Sequence, residues 1–326
     1  MTDNNGKETI AGSNLEKVLR AGHFAVTGEL GPPTGADRSV ISEKAEHLKG
    51  IVDAVNITDN QTAVARMSSI AVGAMLVNLG LEPVIQMTVR DRNRLAIQAD
   101  LFGAWALGAR NLLCLTGDHM TFGNHPETKG VYDMDSVQLL QMMRDMGEKG
   151  VAQSGDELEE PPSFFLGAAA NPFAPPYEYR PYRLAKKVQA GAKFIQTQCT
   201  YNLPRFKEYM QRAGDLGLLD DVYVMMGVTP LKSTGMAWYM ANNVPGLDVP
   251  EDVVKRMRAA VSDIPKEDKK ARSKAQREEG IQICVETIQQ AQEIPGVSGV
   301  HIMAIEWEPA VSVIAEKAGL LPRPTV

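Results

Sequence analysis

Three stretches decide the fold: residues 47–57 (HLKGIVDAVNI), 77–87 (VNLGLEPVIQM) and 105–115 (WALGARNLLCL). Each joins the end of a helical pattern to a short apolar run, with a glycine between the two. Glycine readily takes the left-handed conformation that ends a helix, so each stretch predicts a helix, a tight turn and a buried strand. The same phrase recurs at residues 188–198, 214–224 and 293–303.

Two further runs, 24–30 (FAVTGEL) and 164–170 (FFLGAAA), bring the number of predicted strands to eight. All eight runs are apolar through most of their length, which is typical of parallel strands covered by helices. Helical patterns lie between them at 37–49, 65–79, 92–107, 135–147 and 203–216.

Eight βα units of this spacing favour a (β/α)8 TIM barrel over an open doubly wound sheet. The doubly wound alternative would place a GxGxxG after the first strand, where this chain has GELGPPTGAD. We predict a single barrel domain over residues 1–326, with a flexible N-terminus over residues 1–12.

Two insertions interrupt the regular alternation of predicted strands and helices. Residues 147–162 (GEKGVAQSGDELEEPP) are polar and acidic, and predict a solvated connection before the fifth strand. Residues 247–280 are rich in charge and predict extra helices in the seventh βα unit, with a turn at Pro265 between them. We interpret these helices as an exposed face, with a docking surface for a partner as the alternative.

Composition limits the classes of function. The formal net charge of −6 and pI near 5.5 leave no basic excess for nucleic acid or anionic lipid, so neither is expected as a partner. The first dozen residues are polar, and no run approaches the roughly 18 apolar residues of a membrane span, so we expect a cytoplasmic protein. The three cysteines are far apart in sequence, and predict neither a disulfide framework nor a cysteine-ligated metal.

Polar residues cluster where the predicted strands end, and active sites of this fold are assembled at those ends. Carboxylates and amides that converge there can bind a nitrogen-rich heterocycle and move a proton to it. The residues are Glu29, Asn56, Thr58, Gln86, Thr88, Asp118, Asn171, Gln198 and Glu306.

Five sequence motifs resemble motifs of the methylenetetrahydrofolate reductase family and occur in the same order along the chain. They are VTGELGPP (26–33), IQMTVRDRNR (85–94), CLTGDH (114–119) with GVYDMDSVQLL (130–140), AGAKFIQTQCTYN (190–202) and GVTPLKS (227–233). The resemblance extends from about Phe24 to about Leu320. It implies a barrel with a flavin, usually FAD, across the carboxyl ends of the strands.

The resemblance also implies roles for particular residues. Glu29 matches the catalytic acid, which protonates 5,10-methylenetetrahydrofolate so that its five-membered ring opens to an iminium cation. Asp118 matches the carboxylate between flavin and pterin, where it stabilises that cation. Gln198 matches the amide that binds the folate ring, and Glu306 is expected beside the same substrate. The flavin is expected at Thr58, Gln86, Thr88, Gly117, Asp118, Tyr132, Asn171, Arg183 and Lys187, the last two meeting its phosphates.

Three positions depart from the family pattern. Gln86 stands where the family often has His, and Thr116 where it often has Arg, so FMN in place of FAD remains open. Thr234 stands four residues after Pro230, where members that use NADH or NADPH have a Phe against the nicotinamide. We therefore hypothesise a folate-reducing subunit whose flavin receives electrons from a partner, similar to acetogenic members paired with a small iron-sulfur or zinc protein. An oligomer or a hetero-complex is expected.

Two other functions stay open at this point. One is a non-catalytic folate-binding or scaffold subunit, and the other is a flavin-independent methyltransferase that uses methyltetrahydrofolate. A metal site is not expected, because His119 and His125 lack further ligands at suitable spacing. Strand alternation turns Cys199 away from Gln198, so we interpret it as a packed thiol.

Overall fold

The computed structural model describes residues 9–326, which form a closed barrel of eight parallel strands in the order β1 to β8. Each strand pairs with the next along the chain, and β8 pairs with β1 to close the cylinder. The predicted (β/α)8 TIM barrel is confirmed. The strands are β1 Ala25–Leu30, β2 Ala54–Ile57, β3 Pro83–Thr88, β4 Asn111–Leu115, β5 Phe165–Ala170, β6 Phe194–Cys199, β7 Tyr223–Val228 and β8 Val297–Ile302.

Eleven α-helices accompany these strands within the described residues, and none of them is long and apolar enough to cross a membrane. They are α1 Asn14–Arg20, α2 Arg38–Glu46, α3 Ser69–Asn78, α4 Arg94–Ala106, α5 Ser136–Lys149, α6 Arg180–Ala190, α7 Leu203–Asp215, α8 Thr234–Asn243, α9 Glu251–Ala259, α10 Lys269–Ala291 and α11 Pro309–Lys317.

The glycines of the recurring phrase end their helices as predicted. After α6, for example, Gly191 has φ 119° and its N–H donates to the Val188 carbonyl at 2.9 Å. Positive φ values are shared by Gly50, Gly80, Gly108, Gly191, Gly217 and Gly296.

One predicted helix begins later than its sequence pattern indicates. The pattern starts at residue 65, but α3 starts at Ser69. The Arg66 N–H donates to Asn60 Oδ1 at 3.0 Å, and the Met67 N–H donates to the Pro33 carbonyl at 2.9 Å. Because these amides are bound to Asn60 in the same connection and to Pro33 in the loop after β1, the chain between β2 and α3 stays outside the helix.

The extra helices predicted within residues 247–280 are present as α9 and the first half of α10, and α8 precedes them outside the predicted range. A turn that contains Pro265 separates α9 from α10. Arg256 ties the two together, since its guanidinium contacts Glu279 and Glu286 at 2.5 Å each. The second half of α10 packs on the barrel through buried residues such as Ile288.

Helix α1 closes the amino end of the barrel, although no sequence pattern predicted it. Its side chains Leu15, Val18 and Leu19 are buried against the first residues of the strands. The Glu82 carboxylate accepts the Leu15 N–H at 2.9 Å and also the Asn14 N–H, which fixes the start of the helix. Of the N-terminus predicted to be flexible, residues 1–8 lie outside the described part, and the amides of residues 10–12 donate to Glu16.

The barrel interior is apolar next to α1. Phe165 and Phe194 stack there with their ring centroids 5.2 Å apart. Gly167 makes room for the second ring, because a Cβ at this position would lie 2.2 Å from Phe194 Cζ. The lower interior is therefore filled with side chains, and a ligand has space only towards the carboxyl ends of the strands.

Candidate active site

A cavity of about 380 Å³ opens at the carboxyl ends of the strands, the position that the fold predicts for a site. Residues from β1, β3, β4, β5 and β6 line it, together with α6 and the end of β8. Six residues predicted for the site line this cavity, namely Glu29, Gln86, Asn171, Arg183, Lys187 and Gln198.

Glu29 projects from β1 into this cavity, and its side chain is only 11% exposed. The nearest basic group is the imidazole of His301 on β8, with His301 Nε2 3.8 Å from Glu29 Oε2. A small movement of either side chain would close this gap to a hydrogen bond. No other described side chain forms an ion pair with Glu29, so this carboxyl is available to a ligand.

A layer of hydrogen-bonded side chains lies beneath Glu29, between the cavity and the apolar interior. Asn56 and Gln196 exchange two amide hydrogen bonds, at 2.6 and 2.9 Å. Gln196 Nε2 also donates to Thr27 Oγ1 at 3.1 Å, and Thr27 Oγ1 lies 2.9 Å from His301 Nδ1. All four side chains are buried.

This layer selects one tautomer of His301. The Thr27 hydroxyl accepts from Gln196, and within the described chain the acceptor for its own proton is His301 Nδ1. With the Thr27 hydroxyl donating to Nδ1, the neutral ring carries its proton on Nε2, the nitrogen that faces Glu29. The buried layer orients the imidazole so that it can donate to the Glu29 carboxylate.

Strand β6 contributes three consecutive residues to the cavity, which a regular strand would not do. Gln196, Thr197 and Gln198 all line it, because the register against β7 shifts between Gln196 and Cys199. Gln198 Oε1 accepts the Cys199 N–H at 2.8 Å. The amide NH₂ of Gln198 makes no hydrogen bond to a described residue and is free to donate to a ligand.

The side of the cavity formed by α6 is basic. Arg180, Arg183 and Lys187 are spaced by three and four residues, so they share one face of the helix. Arg180 donates to the carbonyls of Ala174 and Pro175, and Lys187 donates to a β5 carbonyl. Within residues 9–326, none of these three cations has a carboxylate at ion-pair distance. The wall therefore carries uncompensated positive charge.

Burial and the neighbouring Arg183 affect Lys187 most. They lower its pKa from the usual 10.5 to about 8, burial being the larger cause. A bound anion would remove the repulsion between these cations, so this wall favours an anionic ligand such as a phosphate.

Five predicted site residues lie outside the lining of the cavity. Thr58 is buried at the end of β2, and its hydroxyl has no hydrogen-bond partner in the described chain. The amide and hydroxyl of Thr88 both donate to Asp59, at 2.9 Å each. Tyr132 and Glu306 are partly exposed, with φ 43° and 45°. Gly117 has φ 91° and packs on Thr88.

Asp118 lies on the rim, in the loop after β4. Its side chain is exposed, and its Oδ2 accepts the Thr62 N–H from the loop after β2 at 3.0 Å. The structure thus brings Asp118 to the β2 loop, while Glu29 lies in the cavity at β1. Both residues stand at the carboxyl ends of the strands, as predicted.

The other residues singled out in the sequence have local partners. His119 Nδ1 lies 2.9 Å from Thr121 Oγ1, and His125 lines a small cleft beside Arg90. No group of three potential metal-binding side chains occurs among residues 9–326. Cys199 is buried outside the cavity, its Sγ lies 2.9 Å from Thr229 Oγ1, and burial raises its pKa to about 11. Cys199 is therefore a packed thiol.

Sequence reasoning missed His301, Gln196, Thr27 and Arg180. Three of these lie within strands, as Gln86 and Thr88 do, but the resemblance assigned no role to any of the four. Their signal was available as a polar residue at alternate positions of an apolar run, as in Thr27 with Glu29 and Gln196 with Gln198. Such residues in a strand covered by helices face the barrel interior.

The fold is that of a (β/α)8-barrel protein, and the cavity at the carboxyl ends of its strands has an acid on one side and a basic wall on the other. The chain belongs to the methylenetetrahydrofolate reductase family, whose model matches residues 14–319.

Its curated relatives include longer proteins that are named methylenetetrahydrofolate reductase. It is 26% identical over 253 residues to methylenetetrahydrofolate reductase 2 of Schizosaccharomyces pombe, with 73% of this chain and 36% of the relative covered. It is 23% identical over 265 residues to the probable methylenetetrahydrofolate reductase (NADPH) of Caenorhabditis elegans, covering 80% and 36%. The chain thus spans about a third of the length of these relatives.

A solved structure shares the fold. It is an uncharacterized protein from Clostridium thermocellum that binds two copies of 5-methyl-5,6,7,8-tetrahydrofolic acid. The TM-score is 0.59 at 15% identity, over 94% of this chain and 100% of that one.

Proposed function

We propose that the chain reduces 5,10-methylenetetrahydrofolate to 5-methyltetrahydrofolate with a bound flavin. The observation that supports this most is Glu29, an enclosed carboxyl without a cationic partner in contact, in the cavity of a family member. Opening the five-membered ring of the substrate requires a proton, and Glu29 is placed to deliver one. The relatives named methylenetetrahydrofolate reductase, and the folate bound by the C. thermocellum protein, support the same substrate class.

The residues of this site fit a flavin. The cavity offers a hydrogen-bond donor without a partner in the described chain, the amide NH₂ of Gln198, which a ligand atom would satisfy. Arg183 and Lys187 supply positive charge where a flavin phosphate would lie. These observations are equally compatible with FAD and FMN. When bound, the flavin supplies the hydride that turns the iminium carbon into a methyl group.

The chain's own residues perform the proton chemistry in this proposal. Glu29 gives its proton to the substrate nitrogen whose bond to the bridging carbon breaks. His301, with its proton on Nε2, then donates to the new carboxylate and holds it in place. Gln198 offers its free amide NH₂ to the pterin, and Asp118 provides negative charge for the iminium cation.

We also propose that a partner protein supplies the electrons. Thr234 occupies the position of the family's nicotinamide-stacking Phe, and its hydroxyl donates to the Met257 carbonyl of α9 at 3.0 Å. Its N–H donates to Gln276 on α10 at 2.7 Å. This residue therefore ties the added helices together. Its replacement of an aromatic ring supports a donor other than a directly bound pyridine nucleotide.

The deciding experiment is a spectrum of the purified protein, followed by anaerobic addition of 5-methyltetrahydrofolate. We expect a flavin spectrum that bleaches as the folate is oxidised. Glu29→Gln should retain flavin and folate binding, but its chemically reduced flavin should be reoxidised by 5,10-methylenetetrahydrofolate about 100-fold to 10,000-fold more slowly, because it cannot supply the proton that opens the ring. Glu316→Gln on α11, an exposed carboxylate far along the chain, is the matched control and should behave as wild type.

The outcomes separate the alternatives. Folate binding without a flavin spectrum would favour the methyltransferase, and bound flavin that never bleaches would favour the scaffold subunit. Brisk reduction by NADH or NADPH with the chain alone would remove the partner from the proposal.

A further inference from the structure

Arg90 is a buried arginine just beyond β3, with 2% of its side chain exposed. Its guanidinium contacts three loops at once. Nε and Nη2 bind the Asp91 carboxylate at 2.7 and 2.6 Å, Nη1 donates to the Asp118 carbonyl at 2.9 Å, and Nη2 donates to the Asn60 carbonyl at 3.2 Å. Four of its five N–H donors are thus used within the protein.

The main chain of Arg90 is also part of this contact. Its carbonyl accepts the Val131 N–H at 2.8 Å, from the far end of the β4 loop. Gly117 packs directly on it, since a Cβ at Gly117 would lie 3.1 Å from Arg90 Cβ. Arg90 therefore contacts the β4 loop at three residues: Gly117, Asp118 and Val131.

The β2 loop needs such support. Asn60, Thr62 and Ala63 have φ 46°, 55° and 56°, a backbone conformation that residues other than Gly rarely adopt. Asn60 is held by Arg90 at its carbonyl and by Asp91 through its side chain. The strained segment presents the Thr62 N–H to the Asp118 carboxylate at 3.0 Å. The position of this carboxylate thus depends on Arg90 from two sides.

We propose that Arg90 is a positioning residue for Asp118, which it holds directly at the carbonyl and indirectly through the β2 loop that binds the carboxylate. This inference rests on the proposed function, in which Asp118 meets the pterin. A lysine cannot replace Arg90, because a single ammonium group cannot reach Asp91, Asp118 and Asn60 in one plane.

Arg92 provides a matched control two residues along the chain. Its side chain is 15% exposed, and its guanidinium binds Asp59 at 2.7 Å and Asp100 at 2.9 Å. It has no contact with Asp118 or Asn60 among its hydrogen bonds. Both arginines hold half-buried or buried carboxylates, so the two Lys variants should lose similar stability, whereas only Arg90 should affect Asp118.

The test is a double-mutant cycle on the flavin-containing protein. The first readout is the anaerobic bleaching rate at saturating 5-methyltetrahydrofolate and the concentration that gives half of it. Arg90→Lys should lower the saturating rate about 10-fold to 100-fold, the cost of misplacing a group near the reacting atoms, and Arg92→Lys less than about 3-fold. In the Asp118→Asn background, Arg90→Lys should add less than about 3-fold, because its effect is transmitted through that carboxylate.

The second readout is independent of turnover. Hydrogen exchange at residues 60–65 should become faster in Arg90→Lys and change less in Arg92→Lys, whose partner Asp59 lies just before this segment. Should Arg90→Lys fail to fold, Asp91→Asn loosens the same guanidinium and should give the same pattern with smaller effects.

Two outcomes would overturn the inference. One is a double variant whose loss of bleaching rate equals the product of the losses in Arg90→Lys and Asp118→Asn. The other is an equal effect of Arg90→Lys and Arg92→Lys on both the bleaching rate and hydrogen exchange. Wild-type protein that does not bleach would instead count against the proposed function. In that case the exchange measurement still decides whether Arg90 holds the β2 loop.

Discussion

Raising the pH from 7 to 9 should weaken flavin binding, because Lys187 loses its charge in this range. Burial, and next the charge of Arg183, lower its pKa to about 8. A lysine with this pKa is protonated below pH 8 and neutral above it. The basic wall on α6 thus has three charges at pH 7 and two at pH 9.

The magnitude follows from this pKa. Lys187 is about nine-tenths protonated at pH 7 and about one-tenth protonated at pH 9. A flavin phosphate that requires the charged form should therefore bind about 10-fold more weakly at pH 9, which corresponds to about 1.4 kcal/mol. Binding at pH 8 to 9 should also take up a proton, because the bound anion raises the pKa of Lys187 again.

Quenching of flavin fluorescence, measured with FMN and FAD at constant ionic strength, gives the affinity at each pH. Lys187→Arg keeps the positive charge throughout this range, so its affinity should change much less between pH 7 and 9. Lys207→Arg, at an exposed lysine of α7, is the control and should follow wild type. A flat wild-type profile, or a slope that persists in Lys187→Arg, would refute the reasoning.

Two further predictions test other layers of the barrel. His301→Gln should lower the rate at which 5,10-methylenetetrahydrofolate reoxidises the reduced flavin about 10-fold or more while leaving flavin affinity unchanged, because Glu29 loses its oriented imidazole; stopped-flow absorbance measures this, and an unchanged rate would contradict it. Gly167→Ala should lower the free energy of unfolding by about 1–3 kcal/mol in urea titrations, since its Cβ would lie within 2.5 Å of three ring atoms of Phe194; an unchanged midpoint would show that the ring can move aside.

The eight strands could be predicted because their signals are local. A glycine with positive φ and the apolar run after it lie within about ten residues, as at Gly50 before β2 and Gly296 before β8. Helix α1 gave no such signal. Its three buried residues become meaningful only when seven strands bring their first residues together beneath it. The start of α3 was missed for a similar reason, since its leading residues are held by Pro33 in the loop after β1 and by Asn60 earlier in their own loop.

The candidate site was predictable where the resemblance assigns a role to a residue, and less so elsewhere. Gln198 and Lys187 line the cavity as expected from the resemblance. His301 and Gln196 act through contacts that require the closed barrel, since Thr27 pairs with His301 across the β1–β8 junction. The bulge in β6 that brings Gln198 to the cavity has no sequence signal that we recognise.

The closed order of the strands also explains how one cavity can hold an acid and a basic wall. In a barrel of eight strands, β1 and β5 lie on opposite sides, so Glu29 on β1 faces away from α6, which follows β5. A carboxyl that contacted Arg183 or Lys187 would stay ionised and could not deliver a proton. The partner that Glu29 does have, His301, comes from β8 on its own side and is oriented by a buried amide layer. In the proposed function, distance across the barrel would keep phosphate binding and proton transfer apart, and a substrate between the two walls would meet both.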